Sequence, residues 1–253
     1  MTACSACRSG KGLDFGISTA FQPIFDVRSG EVFAYEALVR GEAGESAPQV
    51  LARVTEDTLY SFDQACRVAA IRNAAAAGLL ETGARLSINF MPNAVYSPLA
   101  CIRLTLETAR QVGMPEDRLI LEFTENERLD TGHVRSIVEA YRKLGFATAL
   151  DDFGAGYSGL NLLADLQTDI VKLDMDLIRG IDSSQPRRQI VYAMVRLLED
   201  MGRTVIAEGI ETRGEMDALA DIGVHLMQGY LLARPVLDGL PQWPEDTRLA
   251  RAA

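Results

Sequence analysis

Residues 21–40 read FQPIFDVRSGEVFAYEALVR, two β-like runs, FQPIFDV (21–27) and FAYEALVR (33–40), separated by little more than RSGE. A parallel crossover needs a dozen or more residues, so this spacing predicts a hairpin with the first two strands antiparallel. Downstream the rhythm changes. LSINF (86–90), LILEFTE (119–125), FATALDD (146–152), IVKLD (170–174), TVIAEG (204–209) and HLMQGYLL (225–232) are β-like, and longer helix-favouring stretches lie between most of them. SFDQACRVAAIRNAAAAGLL (61–80), HVRSIVEAYRKLG (133–145), RRQIVYAMVRLLEDMG (187–202) and RGEMDALADIG (213–223) repeat their apolar residues near 3.6. Alternation of this kind favours a parallel sheet, and eight strands favour a closed barrel over an open doubly wound sheet. The expected fold is therefore α/β, a modified (β/α)8 TIM-like barrel with an antiparallel strand near the N-terminus.

The chain has 253 residues, 48% hydrophobic and 24% charged, which suits one globular domain and argues against disorder or a fibrous architecture. The expected division is a short extension over 1–18, one domain over 19–245 and a tail over 246–253. No apolar run reaches the roughly 18 residues of a membrane span, and MTACSACRSGKGLDFG lacks a signal-peptide core, so the expectation is a cytoplasmic protein without membrane association. A formal charge of -10 opposes adhesion to nucleic-acid polymers. Cys66 and Cys101 fall in helix-like stretches and read as reduced core residues. Cys4 and Cys7 form a CxxC with no second pair, and His133 and His225 are distant, so a mobile tail is favoured over structural zinc.

Polar residues interrupt the apolar strand patterns at or near their C-terminal ends: Glu36, Asn89, Glu122, Asp151, Asp152, Lys172, Glu208 and Gln228. In a barrel those ends converge on the face that carries catalysis. A single glutamate there would ordinarily be a solvated loop residue, but recurrence on successive strands points to a shared site. Carboxylates gathered without cations repel and partly protonate. Divalent metal resolves that conflict, and carboxylates with one amide oxygen, without His or Cys, suit Mg2+ or Mn2+. The adjacent Asp151 and Asp152 suit a two-ion site in which one carboxylate bridges, an arrangement that activates water for phosphodiester hydrolysis. Lys172 lies in an apolar run where an unpaired ammonium would be costly, so it is expected among anions, orienting water or phosphate. Glu208 is expected to ligate metal or take a proton. DDFGAGYSGL (151–160) follows a strand and is glycine-rich, as expected of a mobile loop over the site, and Glu125 is placed to hold that loop.

FQPI, Glu36-Ala37-Leu38 followed by Val39-Arg40, SINF, EFTE, DDFGAGYSGL, VKLD, AEGIE and QGYLLARP occur in order between Phe21 and Pro235. In that order they resemble the EAL-domain family of cyclic di-GMP phosphodiesterases. The resemblance implies that Glu36, Asn89, Glu122, Asp151, Asp152 and Glu208 bind metal, with Glu208 as ligand or general base and Lys172 catalytic. It further implies that Arg40 contacts substrate phosphate, that Gln228 and Asp174 belong to the substrate face, and that Glu125 supports the loop. Hydrolysis of cyclic di-GMP to linear pGpG with Mg2+ or Mn2+, a homodimer and a possible protein regulator follow as expectations, and guanine specificity comes from the resemblance alone. The competing reading is a catalytically silent EAL module that binds cyclic di-GMP or a protein partner. A generic metal-dependent barrel enzyme fits the acidic strand ends but not the full motif order.

Overall fold

The chain is described here by a computed structural model covering residues 12–124, 130–155 and 159–243. Eight strands close a barrel: β1 (Ile17–Asp26), β2 (Glu31–Gly41), β3 (Arg85–Asn89), β4 (Leu119–Thr124), β5 (Ala147–Phe153), β6 (Ile170–Leu173), β7 (Thr204–Ala207) and β8 (Leu226–Met227). The described helices are α1 (Ala47–Leu51), α2 (Leu59–Ala76), α3 (Pro98–Cys101), α4 (Arg103–Val112), α5 (Thr131–Lys143), α6 (Gly159–Asp165), α7 (Met175–Ile178), α8 (Gln185–Asp200) and α9 (Arg213–Asp221).

The predicted hairpin is present. β1 pairs antiparallel with β2 from Ile17↔Gly41 to Asp26↔Glu31, and antiparallel with β8 on its other side, while β2 to β8 run parallel. The turn closes through Gly30 N–H donating to the Asp26 carbonyl at 2.8 Å, with Gly30 at φ +77, a conformation glycine adopts without steric cost. The mouth of this barrel is thus formed by the C-terminal ends of β2 to β8 and the N-terminal half of β1.

HLMQGYLL departs from expectation. Only Leu226 and Met227 are ladder-paired, because beyond them the backbone is engaged by the loop after β7: Ile210 N–H donates to the Gln228 carbonyl and Leu231 N–H to the Ile210 carbonyl. Gly229 lies so close to Ile210 that a Cβ there would approach its backbone N and O to 2.2 Å. Above Met227 the seam to β1 is closed instead by Gln22 Nε2 donating to the Ala233 carbonyl at 3.1 Å and by a short strand the sequence reading did not identify, β9 (Val236–Leu237), paired with Phe21 and Ala20.

Strand alternation builds two stacked layers inside the barrel. Ile24, Ala34, Ile120, Ala149, Ile170 and Ile206 form a dry floor. Two residues further toward the mouth on the same strands stand Gln22, Glu36, Glu122, Asp151, Lys172 and Glu208. The outward-facing set, including Leu86, Leu121, Phe123 and Leu173, packs with Ile137, Tyr141, Val195, Leu198 and Leu219 of the surrounding helices. One buried ion pair braces the rim: Arg67 Nη2 meets Asp63 Oδ2 at 2.5 Å, and Asp63 Oδ1 accepts from Met91 N–H at 2.9 Å, tying α2 to the turn just past Asn89. Cys101 is buried and Cys66 half-buried, both as free thiols; burial pushes the Cys66 thiol up to about 12, which keeps it protonated. Cys4 and Cys7 lie outside the described residues.

Candidate active site at the barrel mouth

Lys172 is the centre of the polar layer. Its Nζ lies 2.8 Å from Glu208 Oε1, 3.0 Å from Asp151 Oδ1, 3.2 Å from Glu122 Oε2 and 3.5 Å from Glu36 Oε2, with its side chain 1% exposed. Burial alone would discharge the ammonium, but Asp151, Glu122, Glu208 and Glu36 together outweigh it and hold its pKa well above the usual lysine range. The anionic neighbours expected from IVKLD are therefore present, supplied by four other strands or strand ends.

The carboxylates outnumber that one cation. Burial first, then the charges of Glu36 and Asp151, push Glu122 up to about 8 against the pull of Lys172 and a hydrogen bond from Ser87. Glu208 is raised well above the normal range by burial and by Asp151, with Lys172 opposing. Asp152 is pushed to about 6 by burial, Asp151 and Asp174. Excess negative charge in a low-dielectric mouth is the condition that a divalent cation relieves.

The donor set fits a hard cation. Among the described residues two trios, Glu36–Glu122–Asp151 and Asp151–Asp152–Glu208, each offer oxygens within 4.8 Å of one another, and Asp151 belongs to both. Consecutive strand residues normally face opposite sides of a sheet, so Asp151 and Asp152 reach one site only because the backbone is irregular there. The register to β6 shifts between Leu150 and Phe153, and Asp152 has φ +54, a left-handed conformation sparsely populated outside glycine. This bulge re-aims the second aspartate. Asp151 Oδ1 also accepts from Asp152 N–H at 2.9 Å, steadying the distortion.

Amide and hydroxyl groups orient the acids. Asn89 Nδ2 donates to Glu122 Oε1 at 2.8 Å and more weakly to Glu36 Oε1 at 3.4 Å. Gln228 Nε2 donates to Glu36 Oε2 at 2.8 Å. Ser87 Oγ donates to Glu122 Oε2 at 2.6 Å. Ser87 was not singled out in the sequence, although its place two residues before Asn89 put it on the same face of β3.

A cleft of about 380 Å3 opens above these groups, walled by Gln22, Glu36, Asp152, Asp174, Glu208 and Gln228, with Glu211 and the half-exposed Tyr230 at its edge. Asp174 is anchored as the N-cap of α7, accepting from Asp176 N–H at 2.8 Å. Arg40 does not reach the cleft wall. It stands at the end of β2 on the same face as Glu36, paired across from Ser18, with Nη1 donating to the Val39 carbonyl at 2.7 Å. Glu125 and residues 156–158 of the glycine-rich segment lie outside the described residues. A separate cavity of about 270 Å3 between α2 and β1 to β3 is mostly apolar; its one carboxylate, Asp63, is committed to Arg67.

Residues 14–235 match the EAL domain family. Over 94% of its length the chain superimposes with a TM-score of 0.90, at 51% identity, on the whole of a standalone versatile EAL protein from Vibrio cholerae O395 in its c-di-GMP bound form. It is 31% identical over 244 residues to the cyclic di-GMP phosphodiesterase PA2567 of Pseudomonas aeruginosa, covering 93% of this chain and 40% of that protein. It is also 30% identical over 232 residues to the blue light- and temperature-regulated antirepressor BluF of Escherichia coli, covering 89% of this chain and 56% of the relative. The chain thus spans about half or less of the length of these two curated relatives.

Proposed function

The chain belongs to the EAL domain family, and from that premise we propose that it hydrolyses cyclic di-GMP to linear pGpG at the barrel mouth, using Mg2+ or Mn2+, two ions in the full site. Family membership alone does not select catalysis, since relatives include both a phosphodiesterase and an antirepressor. The observation that carries the reading is the convergence of Glu36, Glu122, Asp151 and Glu208 on Lys172 in one pocket, with Asn89 and Asp152 beside them.

In this reading Glu36, Asn89, Glu122, Asp151, Asp152 and Glu208 would hold the ions, Asp151 belonging to both carboxylate trios. Bound divalent ions supply positive charge for the phosphodiester and a water of lowered pKa. Asn89 now turns its N–H groups toward Glu122 and Glu36, so it offers a cation its oxygen only after the amide rotates. Glu208, whose carboxyl is raised above the ordinary range by burial and Asp151, takes a proton from the attacking water. Lys172 orients that water and offsets charge as it develops on phosphate oxygens. Gln228 and Asp174 contact the dinucleotide from the cleft wall, and Arg40 reaches its phosphate from the rim after releasing the Val39 carbonyl. Water adds across one phosphodiester: the water oxygen bonds to phosphorus, the phosphorus–ester oxygen bond breaks, and the released oxygen takes a proton. The product is a linear dinucleotide with one terminal phosphate and one new hydroxyl. Glu125 is assigned to holding the loop after β5.

Incubation of the purified chain with cyclic di-GMP and either metal, followed by mass identification of the product, tests this. Formation of pGpG that stops with a chelator is expected. Tight binding with no product under either metal would instead assign the chain to the silent binding modules. Pairing of two copies is part of the same proposal and is read from molar mass in solution by light scattering. Among the described residues no helix is long and apolar enough to cross a membrane.

A further inference from the structure

We infer that Ser87 is a positioning residue for the metal-binding carboxylate Glu122, setting its orientation through a hydroxyl that no ligand assignment includes. The inference rests on the metal reading above. Ser87 is buried on β3 with its side chain facing the barrel interior, and its Oγ donates to Glu122 Oε2 at 2.6 Å, a short hydrogen bond. β3 and β4 run in register, with Asn89 opposite Glu122. Ser87 and Asn89, two residues apart on one face, therefore grip the same carboxylate from one strand: Ser87 on Oε2 and Asn89 on Oε1.

The grip matters because the terminal torsion of a glutamate is broad, and only neighbours choose its angle. Lys172 Nζ also faces Oε2, at 3.2 Å. With the hydroxyl gone, Asn89 still holds Oε1 from β3, but Oε2 loses the donor that opposes its turning toward the ammonium. Glu122 would then spend more of its time engaged with Lys172 and less in the orientation it shares with Glu36 and Asp151. Outer-layer hydrogen bonds to ligating carboxylates typically govern affinity by about 10- to 100-fold.

The test is Mn2+ titration by calorimetry on the full chain and on Ser87→Ala, Ser87→Thr and Ser87→Val, with thermal melts in chelator alongside. Threonine and valine share one shape and differ in the hydroxyl, so their comparison survives if the alanine variant folds poorly. We expect Ser87→Ala and Ser87→Val to weaken Mn2+ binding about tenfold or more, and Ser87→Thr to stay close to the unsubstituted chain. Turnover at saturating Mn2+ should recover much of its value in the weakened variants, because excess metal restores occupancy. A purely structural role would lower the melting temperature in chelator and leave Mn2+ affinity unchanged. Unchanged affinity in Ser87→Ala and Ser87→Val, or a loss in Ser87→Thr equal to that in Ser87→Val, would overturn the inference while leaving the metal site standing. Absence of Mn2+ binding by the unsubstituted chain would remove the metal reading itself, and the Ser87 role with it.

Discussion

Lys172→Met keeps the apolar stem and removes the ammonium that four carboxylates surround at 2.8, 3.0, 3.2 and 3.5 Å. At an effective dielectric near 20, one charge pair at about 3 Å attracts by roughly 5 to 6 kcal/mol before desolvation is counted. The net cost of removing one partner from a buried pair is about 3 to 5 kcal/mol, because the remaining charge is left uncompensated. Here part of that cost is absorbed by protonation, since Glu122 is already at about 8 and Glu208 is raised, so about 3 kcal/mol is expected near pH 7. For a domain of this size that corresponds to a fall of roughly 6 to 12 °C in melting temperature. The fall should be seen in chelator and should shrink when Mn2+ is added, because a bound cation replaces the missing charge. Catalysis should respond differently: single-turnover chemistry at saturating metal should drop by roughly 100-fold or more, with little change in substrate affinity. Scanning fluorimetry with and without chelator, and rapid-quench kinetics on the same preparations, read both. An unchanged melting temperature in chelator would refute the charge-balance argument. Weakened binding with an intact chemical step would move Lys172 to ground-state recognition.

Other outcomes follow from the same geometry. Glu122 and Asp152 titrate at about 8 and about 6 in the folded chain, above their ordinary 4.5 and 3.8, so the folded state holds more protons than the unfolded one across that interval. Their stability contribution is present below about pH 4 and is lost as pH rises through 6 and then 8. Melting temperature in chelator should therefore carry a downward component over this window that Mn2+ removes; a profile identical with and without metal would count against it. Glu36→Ala or Asp151→Ala should abolish metal-dependent hydrolysis while circular dichroism stays native, and near-normal turnover in either folded variant would remove that residue from the site. Gly229→Ala should destabilise by about 1 to 3 kcal/mol or more, since the added methyl meets the Ile210 backbone at 2.2 Å. Urea unfolding measures it, and an unchanged midpoint would show that the two loops separate without cost.

Much of this molecule is decided by periods short enough to see in the chain. The RSGE spacer forces a hairpin, and the β1–β2 ladder bears it out. Alternation along FAYEALVR, LILEFTE and IVKLD puts Glu36, Glu122 and Lys172 two residues above Ala34, Ile120 and Ile170, so a polar layer over an apolar floor is already implied by strand geometry. Burial of a lysine in such a run demands anions nearby, and the four carboxylates are there. What a strand period cannot express is any departure from it. Alternation places Asp151 and Asp152 on opposite faces, and only the bulge before Phe153, with Asp152 at φ +54, turns both toward the mouth. The shortness of β8 depends on the loop after β7 claiming the Gln228 carbonyl, a contact between segments that no local pattern links. Arg40 is expected at substrate phosphate by resemblance alone, and the bond from its Nη1 to the Val39 carbonyl is a detail that EALVR does not express. Ser87 is a small hydroxyl whose meaning comes from Glu122 standing 2.6 Å away across a neighbouring strand. Residue type and spacing determined the barrel, its acidic mouth and the charge in its centre; the aim of each oxygen was decided by tertiary packing, because it depends on backbone irregularities and cross-strand neighbours far apart in sequence.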